Sequence, residues 1–168
     1  DQKLLNHTDG SGLGIQAQDE YFGPLTVVGG TMEIKDDRFV QSLDSRFPTS
    51  ITADEITERV RQLAERIGGA FENTLLMEPF LVKPDSPVIQ ALLDAYNEAT
   101  GEDAKPFTMG GGTYAREFKA GASFGPEKPW VKDPDWVGGM HGPDEGVSEE
   151  LLKQSFKIYA LTIQKLME

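Results

Sequence analysis

The chain has no cysteine, only two histidines and far fewer basic than acidic residues among its 168 positions. The lack of cysteine excludes disulfides, thiolate metal ligands and a cysteine nucleophile. Sixteen lysines and arginines against 28 acidic residues give a net charge of −12. This charge argues against a nucleic-acid partner, whose phosphates must be neutralised by cations. Because no apolar run approaches the roughly 20 residues of a membrane span, we expect no membrane partner either.

The composition, with 38% hydrophobic and 26% charged residues, is typical of a globular protein. A chain of this length predicts one domain or two small ones. It begins with Asp1 rather than methionine, so we expect an excised or processed piece of a longer protein. No secretory signal is recognisable.

The first half carries local signals for a hairpin and a helix. Two strand-like runs, residues 25–34 and 38–47, flank the short polar turn 35–37, which favours an antiparallel hairpin. The two-residue period of a strand places Asp44 and Arg46 on the same face. Thr52-Ala53-Asp54-Glu55 is a capping box that begins a helix predicted to end at Gly68. With a strand predicted at 70–77, the order resembles the latter part of a ferredoxin-like unit.

The second half predicts two more helices. Ser86 and Pro87 are typical of a helix start, and Gly101 is typical of its end. Short strands are predicted at 105–109 and 122–125, and a last helix is predicted from Ser148. Ile158 and Leu161 widen its apolar stripe toward a largely buried element, and the stripe itself contains Leu151, Leu152, Phe156, Tyr159, Ala160, Ile163 and Leu166. The predicted fold class is therefore α+β.

Two segments have the residue types of a binding site. Gly110, Gly111 and Gly112 lack side chains, so their backbone can take positive φ and bring N–H groups close to an anion. Thr113 and Arg116 add a hydroxyl and a fork of donors suited to a carboxylate. Downstream, the acidic segment 141–145 contains His141, an imidazole of the kind that binds metals. One imidazole cannot hold a metal without partners.

Each of these residues also has a purely structural interpretation. His141 could be an ordinary loop histidine, as His7 is expected to be. The three glycines could form a tight turn, since they lack the Lys-Ser/Thr of a nucleotide-binding loop. Arg46 could serve only as the surface partner of Asp44. Pattern alone leaves these alternatives open.

Five short motifs, taken in order, resemble a known family. They are Leu13-Gly14-Ile15 with Asp19-Glu20, Gly23-Pro24-Leu25-Thr26, Asp44-Ser45-Arg46-Phe47-Pro48, the segment 110–116, and the segment 140–145. Together they resemble the zinc-dependent dipeptidase family that includes carnosinases, succinyl-diaminopimelate desuccinylases and, nearest in motif, the PepV branch. That family has a two-metal α/β catalytic domain with an inserted ferredoxin-like lid domain. On this template, residues 1–80 resemble the latter half of the lid, which can mediate dimerisation, and residues 81–168 resemble the C-terminal part of the catalytic domain.

The resemblance also implies roles for individual residues. His141 corresponds to a zinc ligand, and Arg46 corresponds to the lid arginine that binds the terminal carboxylate of the substrate. The glycines 110–112, Thr113 and Arg116 would contact the same carboxylate, and Glu145 would support the His141 loop. The other metal ligands and the general base correspond to positions upstream of Asp1, so no catalytic residue is assigned to this chain.

The resemblance therefore implies the C-terminal fragment of a cytoplasmic metal-dependent dipeptidase, inactive in isolation. The parent enzyme would hydrolyse dipeptides or short amides through a hydroxide bound to two zinc ions, with manganese or cobalt as possible substitutes. The alternative is a non-catalytic association module. Its incomplete ferredoxin-like sheet would expose unpaired backbone groups at one edge, which a second copy could cover to form a homodimer.

Overall fold

A computed structural model describes residues 7–119, 121–125 and 128–167. These residues form two compact units. The first comprises the described residues up to Leu81 together with Phe107–Gly112, and the second comprises Val82–Pro106 and the described residues from Thr113 onward. Helices and small antiparallel sheets occur together, which confirms the predicted α+β class. The assignment of residues 1–80 to a lid and of 81–168 to a catalytic domain stays a prediction.

The first unit opens with a short 3-10 helix, Ser11–Leu13, followed by a small ladder of two strands. Strand β1 (Gln18–Asp19) pairs antiparallel with β2 (Gly23–Pro24). Of the segment 13–18, only Gln18 is paired in this ladder. The residues before it turn into the core instead, where Ile15 is fully buried.

The predicted hairpin is confirmed. Strand β3 (Thr26–Lys35) pairs antiparallel with β4 (Arg38–Arg46). Asp36 and Asp37 form the turn with φ of 50° and 57°. Positive φ at both turn residues gives the twist that flanking strands require, and aspartate tolerates that conformation.

Helix α1 (Ala53–Arg66) begins at the predicted capping box. The Glu55 N–H donates to the Thr52 hydroxyl at 3.2 Å, and the Thr52 N–H donates to the Glu55 carboxylate at 3.0 Å. Gly68, with φ of 76°, follows the helix end. One face of α1 packs on the core of the first unit, which contains Leu13, Ile15, Leu25, Val27, Ile51 and Val60.

The three remaining predicted strands are wrong. Residues 70–77, 105–109 and 122–125 form no strand. A strand needs a neighbour for its backbone hydrogen bonds, and each sheet in the described residues has only two members. The hairpin is therefore followed by a helix, as predicted. The strand that would complete the ferredoxin-like order is not formed in the described residues.

In the second unit, helices α2 (Pro87–Thr100) and α3 (Glu149–Met167) pack together. Pro87 occupies the first turn of α2, and Gly101 ends it with φ of 74°, as predicted. The Ser148 hydroxyl accepts from the Leu151 N–H at 3.0 Å and so caps α3. None of the helices in the described part of the chain combines the length and apolar character of a membrane span.

Helix α3 buries Ile158, as predicted, but it exposes most of the predicted apolar stripe. Ser155 and Thr162 are buried beside Ile158. Their hydroxyls donate to the backbone carbonyls of Leu151 and Ile158 at 2.6 and 2.8 Å. These bonds satisfy the buried oxygens, so a face with small polar residues can pack closely. Other apolar residues of the predicted stripe are exposed: Leu152, Phe156, Tyr159, Ile163 and Leu166.

Asp19 connects two parts of the first unit through its carboxylate. One oxygen accepts from the N–H groups of Tyr21 and Phe22 at 3.0 and 2.7 Å. The other accepts from the N–H and hydroxyl of Thr49 at 2.7 and 2.6 Å. Burial opposes ionisation, but the bonds from Thr49, Phe22 and Tyr21 outweigh it and lower the pKa of Asp19. Asp19 thus fixes the β1–β2 turn against the segment after Arg46.

Replacing Asp19 with alanine should lower the free energy of unfolding by about 2–4 kcal/mol, because several charge-assisted bonds are lost. Because the folded pKa is lowered, this stabilisation is complete above the ordinary aspartate pKa. It is lost as the pH falls through the folded pKa. Urea titrations at neutral and acidic pH should show that the difference in free energy of unfolding between wild type and variant is smaller at acidic pH. Glu20→Ala serves as the neighbouring control. A constant difference across pH would contradict the role of the ionised carboxylate.

Candidate functional site

Arg46, at the end of β4, is held by two groups of the first unit. Its Nε lies 3.1 Å from Asp44 Oδ1, and its Nη2 donates to Asp44 Oδ2 at 3.2 Å. Its Nη1 donates to the Gly110 carbonyl at 3.0 Å. The same-face placement of Asp44 and Arg46 predicted from the strand period is therefore present. The structure also brings Arg46 to the glycine segment, which lies 64 residues further along the chain.

The glycine segment contacts Arg46 through a carbonyl rather than an amide. Thr108 anchors the segment, since its hydroxyl donates to the Tyr21 carbonyl at 2.6 Å. Neither Gly110 nor Gly111 has positive φ, and a role of their N–H groups in anion binding stays a prediction. An anion-binding nest needs a left-handed residue beside a right-handed one. Gly110 acts here as an acceptor that orients the guanidinium.

The remaining predicted site residues belong to the second unit. Thr113 accepts at its hydroxyl from Ser123 at 2.6 Å, and Arg116 lies in the short 3-10 helix Tyr114–Glu117. The combination of Thr113, Arg116 and His141 with Arg46 in one substrate site stays a prediction, as do the roles of Gly111 and Gly112.

His141 lies exposed in a tightly bonded loop of the second unit. Its φ is 62°, and Asp144 has φ of 60°, a left-handed conformation that non-glycine residues seldom adopt. The His141 N–H donates to the Glu145 carboxylate at 3.1 Å. The Gly138 N–H donates to the Asp144 carbonyl at 2.8 Å and closes the loop. Glu145 therefore contacts the His141 backbone, as expected of a supporting residue.

The donors in the described residues do not by themselves form a metal site. No group of three histidine, aspartate or glutamate side chains in the described ranges could hold an ion. A stable site for zinc uses three or four such ligands. The role of His141 as a metal ligand stays a prediction, and a zinc site that included it would need at least two further ligands.

The two glycines before Met140 provide a direct test of the His141 loop. A Cβ on Gly138 would overlap the Pro143 carbonyl, whereas a Cβ on Gly139 would meet nothing within 4 Å. Gly138→Ala should force the loop apart and shift the backbone amide signals of His141 and Glu145 in NMR spectra. Gly139→Ala is the matched control and should leave them in place. Equal shifts in both variants would contradict the loop geometry.

One polar cluster was not predicted from the sequence. The Tyr96 hydroxyl donates to Glu102 at 3.0 Å, and Lys128 forms an ion pair with the other Glu102 oxygen. The bond from Lys128 lowers the pKa of Glu102, and burial, with the bond to Glu102, raises the pKa of Tyr96. The cluster ties the segment at Lys128 to the residues after α2. No local motif relates these three residues, because the fold alone brings them together.

Several curated relatives are similar to nearly the whole chain. "Putative dipeptidase YtjP" of Bacillus subtilis (strain 168) is 31% identical over 165 residues, which are 98% of this chain and 34% of that protein. "Putative dipeptidase SSP1012" of Staphylococcus saprophyticus is 28% identical over 158 residues, 94% of this chain and 33% of that protein. A "Putative dipeptidase" of Staphylococcus epidermidis is 25% identical with the same coverage.

The chain spans about a third of the length of these relatives. The matches therefore concern one part of a longer relative. A comparison with protein families gives a match over residues 11–165, which include Arg46, the glycine segment and His141. This match covers almost all of the chain. The chain therefore belongs to peptidase family M20/M25/M40.

Proposed function

We propose that this chain is the C-terminal part of a cytoplasmic metal-dependent dipeptidase that hydrolyses dipeptides or related short amides. The observation that carries the proposal is the arrangement of Arg46, which is held by Asp44 and the Gly110 carbonyl in a defined orientation. Membership of a peptidase family supports it. The names of the relatives, which describe dipeptidases, support the substrate class.

A fixed arginine suits a dipeptide for a geometric reason. In a dipeptide the C-terminal carboxylate lies one residue from the only peptide bond. Binding of that carboxylate therefore fixes the position of the bond to be cleaved, and positioning of this kind contributes strongly to catalysis. A guanidinium binds a carboxylate with two parallel hydrogen bonds, which define orientation as well as affinity. In the proposal, Thr113 and Arg116 assist at the same carboxylate.

The proposed cofactor is a pair of zinc ions, with manganese or cobalt as alternatives, and the PepV branch is the proposed nearest subfamily. When bound, such ions would supply an activated water and polarise the scissile carbonyl. His141 would contribute one ligand, and the remaining ligands would come from upstream residues of the family fold. Because the described residues provide no complete metal site, we expect the 168-residue chain to be inactive alone.

The test compares two proteins on a panel of dipeptides with added Zn²⁺ or Mn²⁺. One is the 168-residue chain, and the other is the product of the complete gene. Hydrolysis only by the latter would support the proposal. Hydrolysis by the 168-residue chain would show that the catalytic residues lie within it, and no hydrolysis by either protein would contradict the dipeptidase function.

A second candidate function is a non-catalytic association module that forms a homodimer. The hairpin favours it, because Met32, Ile34, Phe39 and Leu43 are exposed on its two strands, and exposed apolar groups on a hairpin promote pairing with another chain. Sedimentation analysis distinguishes the candidates. A tight dimer without metal affinity or hydrolysis would favour the module. A monomer would exclude the proposed homodimer.

A further inference from the structure

The contacts of Arg46 leave part of its guanidinium for a ligand. An arginine side chain has five N–H donors in a planar fork. Among the described residues, Asp44 takes the edge formed by Nε and Nη2, and Gly110 takes one hydrogen of Nη1. These contacts leave one N–H on each terminal nitrogen, and such guanidinium donors bind carboxylate oxygens.

Both partners of Arg46 are themselves fixed within the first unit. Asp44 is paired in the hairpin ladder opposite Val28, so its backbone position is set by β3. Gly110 belongs to the segment that Thr108 anchors to the Tyr21 carbonyl. Arg46 is about half exposed, and a long exposed side chain would otherwise sample many rotamers. The two contacts therefore restrict a side chain that solvent alone would leave free.

We propose that Asp44 is a positioning residue, which holds Arg46 with its two terminal nitrogens turned toward the carboxylate of a substrate. This inference rests on the proposed function and extends it to a residue that does not itself touch the substrate. The Gly110 carbonyl adds a further contact at Nη1. Arg46 is thereby arranged before the ligand arrives, which lowers the entropy cost of binding.

The direction of the change in KM when Asp44 is removed distinguishes a positioning role from a purely electrostatic one. If Asp44 acted only through its charge, its removal would leave Arg46 more strongly positive toward an anionic ligand. The KM of a dipeptide would then fall. If Asp44 orients Arg46, its removal frees the side chain and the KM rises. The two mechanisms therefore predict opposite changes.

The experiment uses the product of the complete gene and two substrates, alanyl-alanine and alanyl-alanine amide. Asp44→Ala should raise the KM of alanyl-alanine by about 10-fold with little change in kcat, since binding rather than chemistry is affected. Asp44→Asn keeps one acceptor oxygen and should give a smaller increase. The amide lacks the carboxylate, so its kinetics should not change. Glu33→Ala, on the same hairpin, is the matched control for loss of a negative charge.

A spectroscopic measurement tests the same contact without catalysis. The Nε–Hε signal of Arg46, identified by its loss in Arg46→Lys, should shift in Asp44→Ala and stay in place in Glu33→Ala. An unchanged signal, or a lower KM in Asp44→Ala, would overturn the inference. If the wild type hydrolyses neither substrate, the proposed function fails. The Nε–Hε signal then still decides whether Asp44 positions Arg46.

Discussion

Replacing His141 is expected to abolish most metal-dependent hydrolysis by the product of the complete gene. The side chain is exposed, and its backbone is fixed by Glu145, so the imidazole is available as a ligand from a defined loop. Loss of an outer partner of a metal ligand costs about 10–100-fold in affinity or activity. Loss of the ligand itself should cost more, about 10³-fold. The zinc content of the purified protein should fall together with kcat.

The choice of variant separates ligand loss from loop distortion. His141 has a left-handed backbone with φ of 62°, which alanine tolerates poorly and asparagine tolerates well. His141→Asn therefore removes the imidazole with little backbone strain, and it should lose as much zinc as His141→Ala. His7→Ala, at the only other histidine, should retain full zinc content and activity. Full zinc content in His141→Asn would contradict the proposed ligand role.

The elements that the sequence predicts correctly are those specified by local chemistry. The capping box at Thr52, the proline at the start of α2 and the glycine after it act within one helical turn. The hairpin depends on two residues, Asp36 and Asp37, that accept positive φ. Each signal operates over a few residues, so a short window of sequence contains all the necessary information.

The errors concern packing over longer distances. A strand exists only when a neighbour accepts its backbone bonds, and the segment 70–77 forms no such ladder. The prediction for α3 was confirmed at Ile158 but wrong for most of the apolar stripe, for a related reason. Periodicity identified the most apolar stripe, but the face that is buried contains Ser155 and Thr162, whose hydroxyls donate to carbonyls of the same helix. Which face is covered depends on the partner, and sequence periodicity does not contain that information.

In the candidate site, too, local features were predictable from the sequence and contacts between distant segments were not. The shared face of Asp44 and Arg46 follows from the strand period. The bond from Arg46 to the Gly110 carbonyl spans 64 residues, and only a family resemblance suggested that the two segments serve one ligand. The direction of the Gly110 peptide was not predictable, because three consecutive glycines permit either a carbonyl or an N–H group to face Arg46.

Substitution of Arg46 should impair dipeptide hydrolysis second only to loss of His141. Arg46→Ala removes both donors proposed for the carboxylate, so kcat/KM for alanyl-alanine should fall by about 10²–10³-fold, mostly through KM. Arg46→Lys keeps the charge but loses the planar fork. A single ammonium cannot make both the bidentate contact with Asp44 and the contact with a carboxylate. Lysine should therefore restore only a small part of the activity.

The kinetics of a matched pair of substrates show whether the loss arises at the carboxylate. Alanyl-alanine amide lacks the group that Arg46 is proposed to bind, so wild type and Arg46→Ala should hydrolyse it at similar rates. Arg38→Ala is the control, because Arg38 lies on the same face of β4 at its opposite end. An equal loss on both substrates would indicate that Arg46 stabilises the fold around the hairpin. In that case, its contacts with Asp44 and Gly110 would be structural, and another cation, such as Arg116, would have to bind the carboxylate.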